Sequence, residues 1–342
     1  MNIQGLDCHI PPVGYVFNIL TKKLEYRGVY SRSENTEEQF WEKFELPSWY
    51  LSVLKAWNRH DKQAEKDEDL GEFYDERLEK LKAQEWDRRL NGFWFMNNGN
   101  PVYLTGFHYY VLQYGHIDIG SPKFRMPDLE KAYFMQYCIE DPKCMGMVEV
   151  TKRRFGKSYW AGFFLLEYIT RTKMANGGIQ SKTGKDAKKF FSKTVVNPFR
   201  RLPKFFRPVY DTSLGANPKT ELRFQKTNIR GKAAEQDVAD NELGSVIDFE
   251  SSDKVAYDGQ KIHRYVADES GKTVEEDVYE RHEVIRYCLM DDNGLIIGKA
   301  LYTTTVEKID SDKDGVQDAF KLLWKESDQN NSCLLYTSDA AD

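Results

Sequence analysis

The rhythm of apolar positions changes part-way along the chain. From residue 37 to 90 apolar side chains recur at helical spacing, with dense opposite charges three and four residues apart. That pattern predicts exposed helices packed through Trp41, Tyr50, Leu54, Phe73, Leu78 and Leu81. Turn clusters at 97–101 and 120–122 bound an aromatic stretch, 102–119, that contains Tyr103, Phe107, Tyr109, Tyr110 and Tyr114. From Met145 onward short strand-like runs alternate with helical ones, at 145–150, 178–181, 221–225, 246–249, 262–267 and 295–304. Strands separated by helices predict an α/β fold with a mostly parallel central sheet flanked by helices. The expected division is a helical N-terminal region (1–100), an α/β domain (101–328) and a short tail (329–342).

Composition narrows the class. With 40% hydrophobic and 30% charged residues in 342, the chain has an ordinary globular balance and no disorder signature. Net charge is −5, so any nucleic-acid contact must come from a local field. One exists: between Ser181 and Pro208 lie Lys182, Lys185, Lys188, Lys189, Lys193, Lys204, Arg200, Arg201 and Arg207 against the single acid Asp186. Such a run is more often simply a solvated face. The five cysteines form no CxxC pair, which argues against zinc and against a disulfide framework. No signal peptide opens the chain, and the longest apolar run, 161–169, is too short to span a bilayer and contains Glu167. A soluble intracellular protein is expected.

The candidate chemistry sits where strands are expected to end. After the run 145–150 come Thr151, Lys152, Arg153, Arg154, Phe155, Gly156, Lys157 and Ser158, and then a predicted helix over 159–170. A strand, loop and helix in that order make a P-loop: backbone N–H groups at the helix start cradle phosphates, Lys157 reaches the β/γ oxygens, and the Ser158 hydroxyl serves Mg²⁺. The strict pattern has Gly where Thr151 stands, and a Gly-Lys-Ser tripeptide alone is more often an ordinary helix start. The second element weighs more. The run 262–267 ends in Asp268-Glu269, and two acids closing a buried strand need a cation or a task. Asp268 would hold the Mg²⁺ shell and Glu269 would act as general base toward water. The third element is the run 295–304, which leads into Thr303, Thr304 and Thr305. Threonine is also simply a good strand residue. In an open α/β sheet all three would converge beyond the carboxyl ends of the strands.

As a set these motifs resemble the large terminase subunits of tailed double-stranded DNA phages. That family's P-loop often lacks the first Gly and carries an Arg, supplied here by Lys152-Arg153-Arg154; an Asp-Glu strand and a Thr-rich coupling motif follow, matched by Asp268-Glu269 and Thr303 to Thr305. The segments Tyr103-Leu-Thr-Gly-Phe-His-Tyr-Tyr110, Leu202-Pro-Lys-Phe-Phe206 and Tyr257-Asp-Gly-Gln-Lys261 are similar too, and the resemblance runs from Val102 to Asp328. It implies a P-loop NTPase of the additional-strand, RecA-like class that hydrolyses ATP with Mg²⁺ to translocate double-stranded DNA into a procapsid. It also implies a homo-oligomeric ring, portal and small-subunit partners, and a place at the portal vertex in the host cytoplasm. Arg153 is the candidate for the arginine that stabilises transition-state charge, with Arg154 its rival; Tyr109 and Tyr110 are candidates to stack on adenine. Two readings remain beside it: a helicase-like P-loop enzyme, and a nucleotide-gated DNA-binding or assembly module with negligible turnover.

The family's C-terminal nuclease is not found, so nuclease activity is not expected. Cys333-Leu-Leu-Tyr-Thr-Ser-Asp-Ala-Ala-Asp342 reads like a translated sequencing adapter, and the natural sequence is expected to break off near Ser332. Asp310, Asp312, Asp314 and Gly315 open like a calcium loop, but the twelfth position, which requires Glu, is Lys321.

Overall fold

The computed structural model describes residues 41–225 except 65, 68–69, 98–99, 214 and 216, and residues 242–305 except 254 and 274–276. It also describes Phe320, Leu323 and the short strands at 2–26 and 334–338. The calcium-like loop lies outside the described residues.

Two small antiparallel hairpins come first: β1 (Asn2–Ile3) with β2 (Leu6–Asp7), and β3 (Tyr15–Asn18) with β4 (Lys23–Tyr26). The expected helical pattern begins at α1 (Tyr50–Ala64) and continues in α2 (Glu76–Asn91). Asp75 starts α2 by accepting from the Arg77 and Leu78 backbone N–H groups, two of the donors a helix start leaves unpaired. A hairpin, β5 (Phe93–Asn97) with β6 (Asn100–Leu104), leads to α3 (Gly106–Tyr114), capped by the Thr105 hydroxyl, and then to α4 (Met126–Glu140).

The central sheet is built from β7 (Gly146–Thr151), β8 (Asn176–Gln180), β9 (Glu221–Phe224), β10 (Ser245–Asp248), β11 (Arg264–Ala267), β12 (Lys299–Thr305) and β13 (Leu334–Ser338). Its order is β13-β7-β12-β11-β8-β10-β9, parallel throughout except that β9 runs antiparallel to β10. The strand that carries the threonines is therefore inserted between the strand before the P-loop candidate and the strand before the two acids. That is the expected additional-strand arrangement of an α/β P-loop fold. The tail segment 334–338 pairs with β7 as the outer strand.

Register explains why these strands read as continuous apolar runs. Both faces are covered, so successive residues are buried on opposite sides. Met147, Val266 and Leu301 join the cluster under α5 (Lys157–Ile169), with Phe163, Phe164 and Leu165. Val148, Tyr265, Ala267, Ala300 and Tyr302 join the other cluster, against Val278 and Ile285 of α8 (Val278–Cys288). Each fully buried aliphatic side chain contributes roughly 1.5–3 kcal/mol, so both layers hold the strand ends in place. The first cluster also takes in Tyr50 and Leu78, with Trp41, Leu54, Phe73 and Leu81 packed on it, so α1 and α2 share the core of the sheet.

Three boundaries differ from expectation for local reasons. Helix α5 starts two residues early, at Lys157, directly after the left-handed Gly156. The last long run enters the sheet only at Lys299, because its first part turns back: Met290 bridges Ile296 around a loop in which the Asp291 carboxylate accepts from the Asn293 and Leu295 N–H groups. The acid strand begins at Arg264 rather than at 262. Over the basic stretch, α6 (Gly184–Phe190) continues through a π-helical turn (Phe191–Val196) into α7 (Asn197–Arg200). The turn lies on α5, where Gly162 faces Thr194 so closely that a Cβ would run into the Thr194 carbonyl oxygen. Among the described residues no helix is long and apolar enough to cross a membrane.

Candidate functional site

The loop after β7 bends twice into the left-handed region, at Arg154 (φ 64°) and at Gly156 (φ 98°). Glycine adopts that conformation without the strain a side chain incurs. Phe155 lies between the two bends. Its carbonyl oxygen accepts from Arg125 Nη2 at 2.8 Å, and the Arg125 guanidinium lies 4.6 Å from the centre of the Phe155 ring. Arg125 is in turn forked onto Asp128 at 2.6 and 2.9 Å. One turn further along α4, Lys131 forms a buried ion pair of 3.0 Å with Glu149 of β7. Helix α4 thus grips the loop and the strand that delivers it.

At the far side of the loop, Lys157 and Ser158 open α5 and face the end of β11. Lys157 Nζ lies 2.6 Å from Glu269 Oε1. The Ser158 hydroxyl is 3.2 and 3.1 Å from the two oxygens of Asp268. The three threonines of β12 complete the cluster, each with a different partner. Thr303 donates to Asp268 Oδ1 at 2.7 Å, and Thr305 to Glu269 Oε2 at 3.4 Å. Thr304 accepts from the Gly271 N–H at 3.2 Å, so its hydroxyl fixes the turn after the acids. Buried hydroxyls need partners, and in a strand covered on both faces these are the ones within reach.

The two acids differ in charge environment. Burial pushes the Asp268 carboxyl above the usual carboxylate range, against the pull of Thr303, Lys157 and Ser158. Glu269 is also pushed up by burial, but hydrogen bonds from Lys157 and Lys272 outweigh it and leave the carboxyl below its ordinary range. Asp268 is therefore a buried acid in need of positive charge, and Glu269 a carboxylate already held ionised.

Hard oxygen donors of this kind suit a magnesium ion, which is held by one or two protein oxygens plus waters and phosphate. Ser158 and Asp268 provide them, already converging. Among the described residues no three His, Cys, Asp or Glu side chains cluster as metal ligands, so a cage made only of such side chains is not the arrangement on offer. At the start of the loop the Thr151 hydroxyl is buried without a hydrogen-bond partner among the described residues.

Of the residues singled out from sequence, Lys157, Ser158, Asp268, Glu269, Thr303 and Thr305 come together at the carboxyl end of the sheet, with Gly156 at the head of α5. Lys152, Arg153 and Arg154 are exposed on the loop. Tyr109 and Tyr110 do not belong to this group. Both are buried; the Tyr109 hydroxyl donates to Glu85 at 2.6 Å, and Tyr110 lies under the guanidinium of Arg89. Their rings pack α3 against α2 and have no open face for a base. Sequence reasoning missed Arg125 and Lys272. The Arg125/Asp128 spacing of three on a helix start was the one available hint of the first.

No family model matches the sequence, and no curated protein matches it. Among solved structures the chain is similar to the crystal structure of the HK97 bacteriophage large terminase, with 12% sequence identity and a TM-score of 0.45. The match covers 69% of this chain and 44% of that one, so the chain spans less than half that protein's length.

Proposed function

We propose that this chain is an ATP-hydrolysing motor domain of phage genome packaging. One observation carries the reading: Lys157 and Ser158 at a helix start meet Asp268 and Glu269 at the end of a buried strand, with a threonine strand inserted between the two strands they follow. The loop's backbone N–H groups and Lys157 would bind the triphosphate. Ser158 and Asp268 would hold Mg²⁺, which supplies charge neutralisation at the phosphates when bound. Glu269, ionised and partly open, would accept the proton of the attacking water. Arg153, with Arg154 as its rival, would lie against the charge that develops on the transferred phosphoryl group. Thr303 holds Asp268 and Thr305 holds Glu269, so a shift of either acid is felt directly by β12.

The double-stranded DNA partner rests on the basic stretch. Lys185, Lys188, Lys189, Arg200 and Arg201 are exposed along the α6–α7 segment, whereas Lys204 is already engaged by Asn58, Asp61 and the Trp57 ring. Contacts of that kind follow phosphates, so binding should be tolerant of sequence and weakened by salt. The ring, the portal and small-subunit partners and the place at the portal vertex follow from the family resemblance.

The test is steady-state ATP turnover with and without double-stranded DNA, beside Lys157→Ala and Glu269→Gln. Turnover lost in both variants, with ATP still bound by Glu269→Gln, is the expected result, and stimulation by DNA supports translocation. A folded wild-type protein that binds no nucleotide overturns the reading. Binding with a rate no higher than that of Glu269→Gln reduces it to a gated binding module.

A further inference from the structure

The Glu269 carboxylate is held at both oxygens by different lysines. Lys157 takes Oε1 at 2.6 Å, and Lys272 takes Oε2 at 2.7 Å. Lys272 stands three residues on, at the end of a tight turn (Ser270–Lys272). That turn is fixed at three points. Glu269 itself is left-handed (φ 56°), the Lys272 N–H donates to the Glu269 carbonyl oxygen at 2.9 Å, and Gly271 N–H is tied to Thr304. The lysine is thereby folded back over the carboxylate instead of running into solvent.

Lys157 carries a single positive charge. As it turns that charge to the phosphates of a nucleoside triphosphate, its hold on Oε1 weakens. Glu269 would then be a half-buried carboxylate beside a polyanion, an arrangement that opposes binding unless another cation stays with it. We propose that Lys272 is the positioning residue that stays on Glu269 when Lys157 moves to the nucleotide. It keeps the carboxylate in place, and it lowers the cost of the exchange. The inference rests on the nucleotide-binding reading of the site and adds a residue that the motifs do not contain.

Its signature is a coupling between residues 272 and 269 in nucleotide affinity, measurable without turnover. The experiment titrates a fluorescent ATP analogue with Mg²⁺ into the full chain, as wild type, Lys272→Met, Lys272→Arg, Glu269→Gln, the Lys272→Met/Glu269→Gln double variant and Lys157→Ala. Lys272→Met should weaken binding about 5- to 10-fold, an ordinary coupling for a contacting charged pair. Lys272→Arg should stay within about twofold of wild type. In the Glu269→Gln background, where no carboxylate needs a partner, Lys272→Met should change affinity by less than about twofold. An equal loss in both backgrounds overturns the proposal, because Lys272 would then be touching the nucleotide itself. No loss in either background also overturns it. If the wild type binds no nucleotide, or Lys157→Ala binds as tightly as wild type, the reading of the whole site falls and the inference with it.

Discussion

Replacing His108 by phenylalanine should make the folded protein markedly less sensitive to mild acid. His108 is fully buried on α3, stacked at 5.9 Å on Phe124 and tilted at 5.5 Å against Trp160 of the P-loop helix. Neither ring nitrogen has a hydrogen-bond partner among the described residues. Burial, with Lys131 and Arg125 adding like charge, pushes its pKa down to about 3. The unfolded chain takes up the proton near pH 6.5, so the stabilising contribution is complete above that value and is lost as pH falls toward about 3. Between pH 7 and pH 5 the loss is about 2 kcal/mol, from the protonation that only the unfolded state accepts. Phenylalanine cannot titrate, and it removes two unpaired polar atoms at the cost of a slightly larger ring, about 1 kcal/mol of strain. The assay is urea denaturation of both proteins at pH 7 and pH 5 at constant ionic strength. The difference in stability between variant and wild type should grow in favour of the variant by about 2 kcal/mol on acidification. Curves that fall in parallel would show that His108 titrates normally and is not buried as described.

Three further outcomes follow from named contacts. Lys131→Met takes the counter-ion from buried Glu149 and should cost about 3–5 kcal/mol in denaturation, with Lys131→Met/Glu149→Gln recovering much of it; a double variant no better than the single would show that the lost ion pair was not the issue. Gly162→Ala forces a Cβ onto the Thr194 backbone, with Thr194 Cβ only 2.8 Å away, and should lower stability by roughly 1–3 kcal/mol; an unchanged midpoint would mean that α5 and the π-helical turn pack more loosely. Thr303→Val keeps the shape of the strand but takes the donor from Asp268, and should lower ATP turnover about 10- to 100-fold while the unfolding midpoint moves little; full activity would remove Thr303 from the site.

The sheet was legible because its strands are buried on both faces, which leaves short runs dominated by apolar residues, such as 145–150 with Glu149 as its one charged residue and 262–267 with His263 and Arg264 near its start. The site was legible for the opposite reason. Asp268, Glu269 and Thr303 to Thr305 are polar groups at the ends of such runs, where burial demands a partner. What could not be read were contacts that depend on how separate elements meet. Tyr109 and Tyr110 look from sequence like any aromatic pair before a P-loop; only the approach of α2, bringing Glu85 and Arg89, decides that they belong to the core. The additional threonine strand sits between its partners by crossover, and strand order is not written in any local pattern.

Arg125 and Lys272 show the same limit from the side of function. Neither belongs to a motif: Arg125 is distant in sequence from the carbonyl it holds, and a lysine three residues after an acid is too common a spacing to register. Arg125 lies 30 residues before the carbonyl it holds, and Lys272 acts only because a left-handed Glu269 turns the chain back on itself. The motif residues bring opposite charges into contact, Lys157 on Glu269. If Lys157 turns to a nucleotide as proposed, Glu269 still has Lys272, a partner that lies outside the motif. The polar groups of the candidate site are thus concentrated at strand ends, while the contacts that hold them are spread over the turn after Glu269 and the helix start at Arg125.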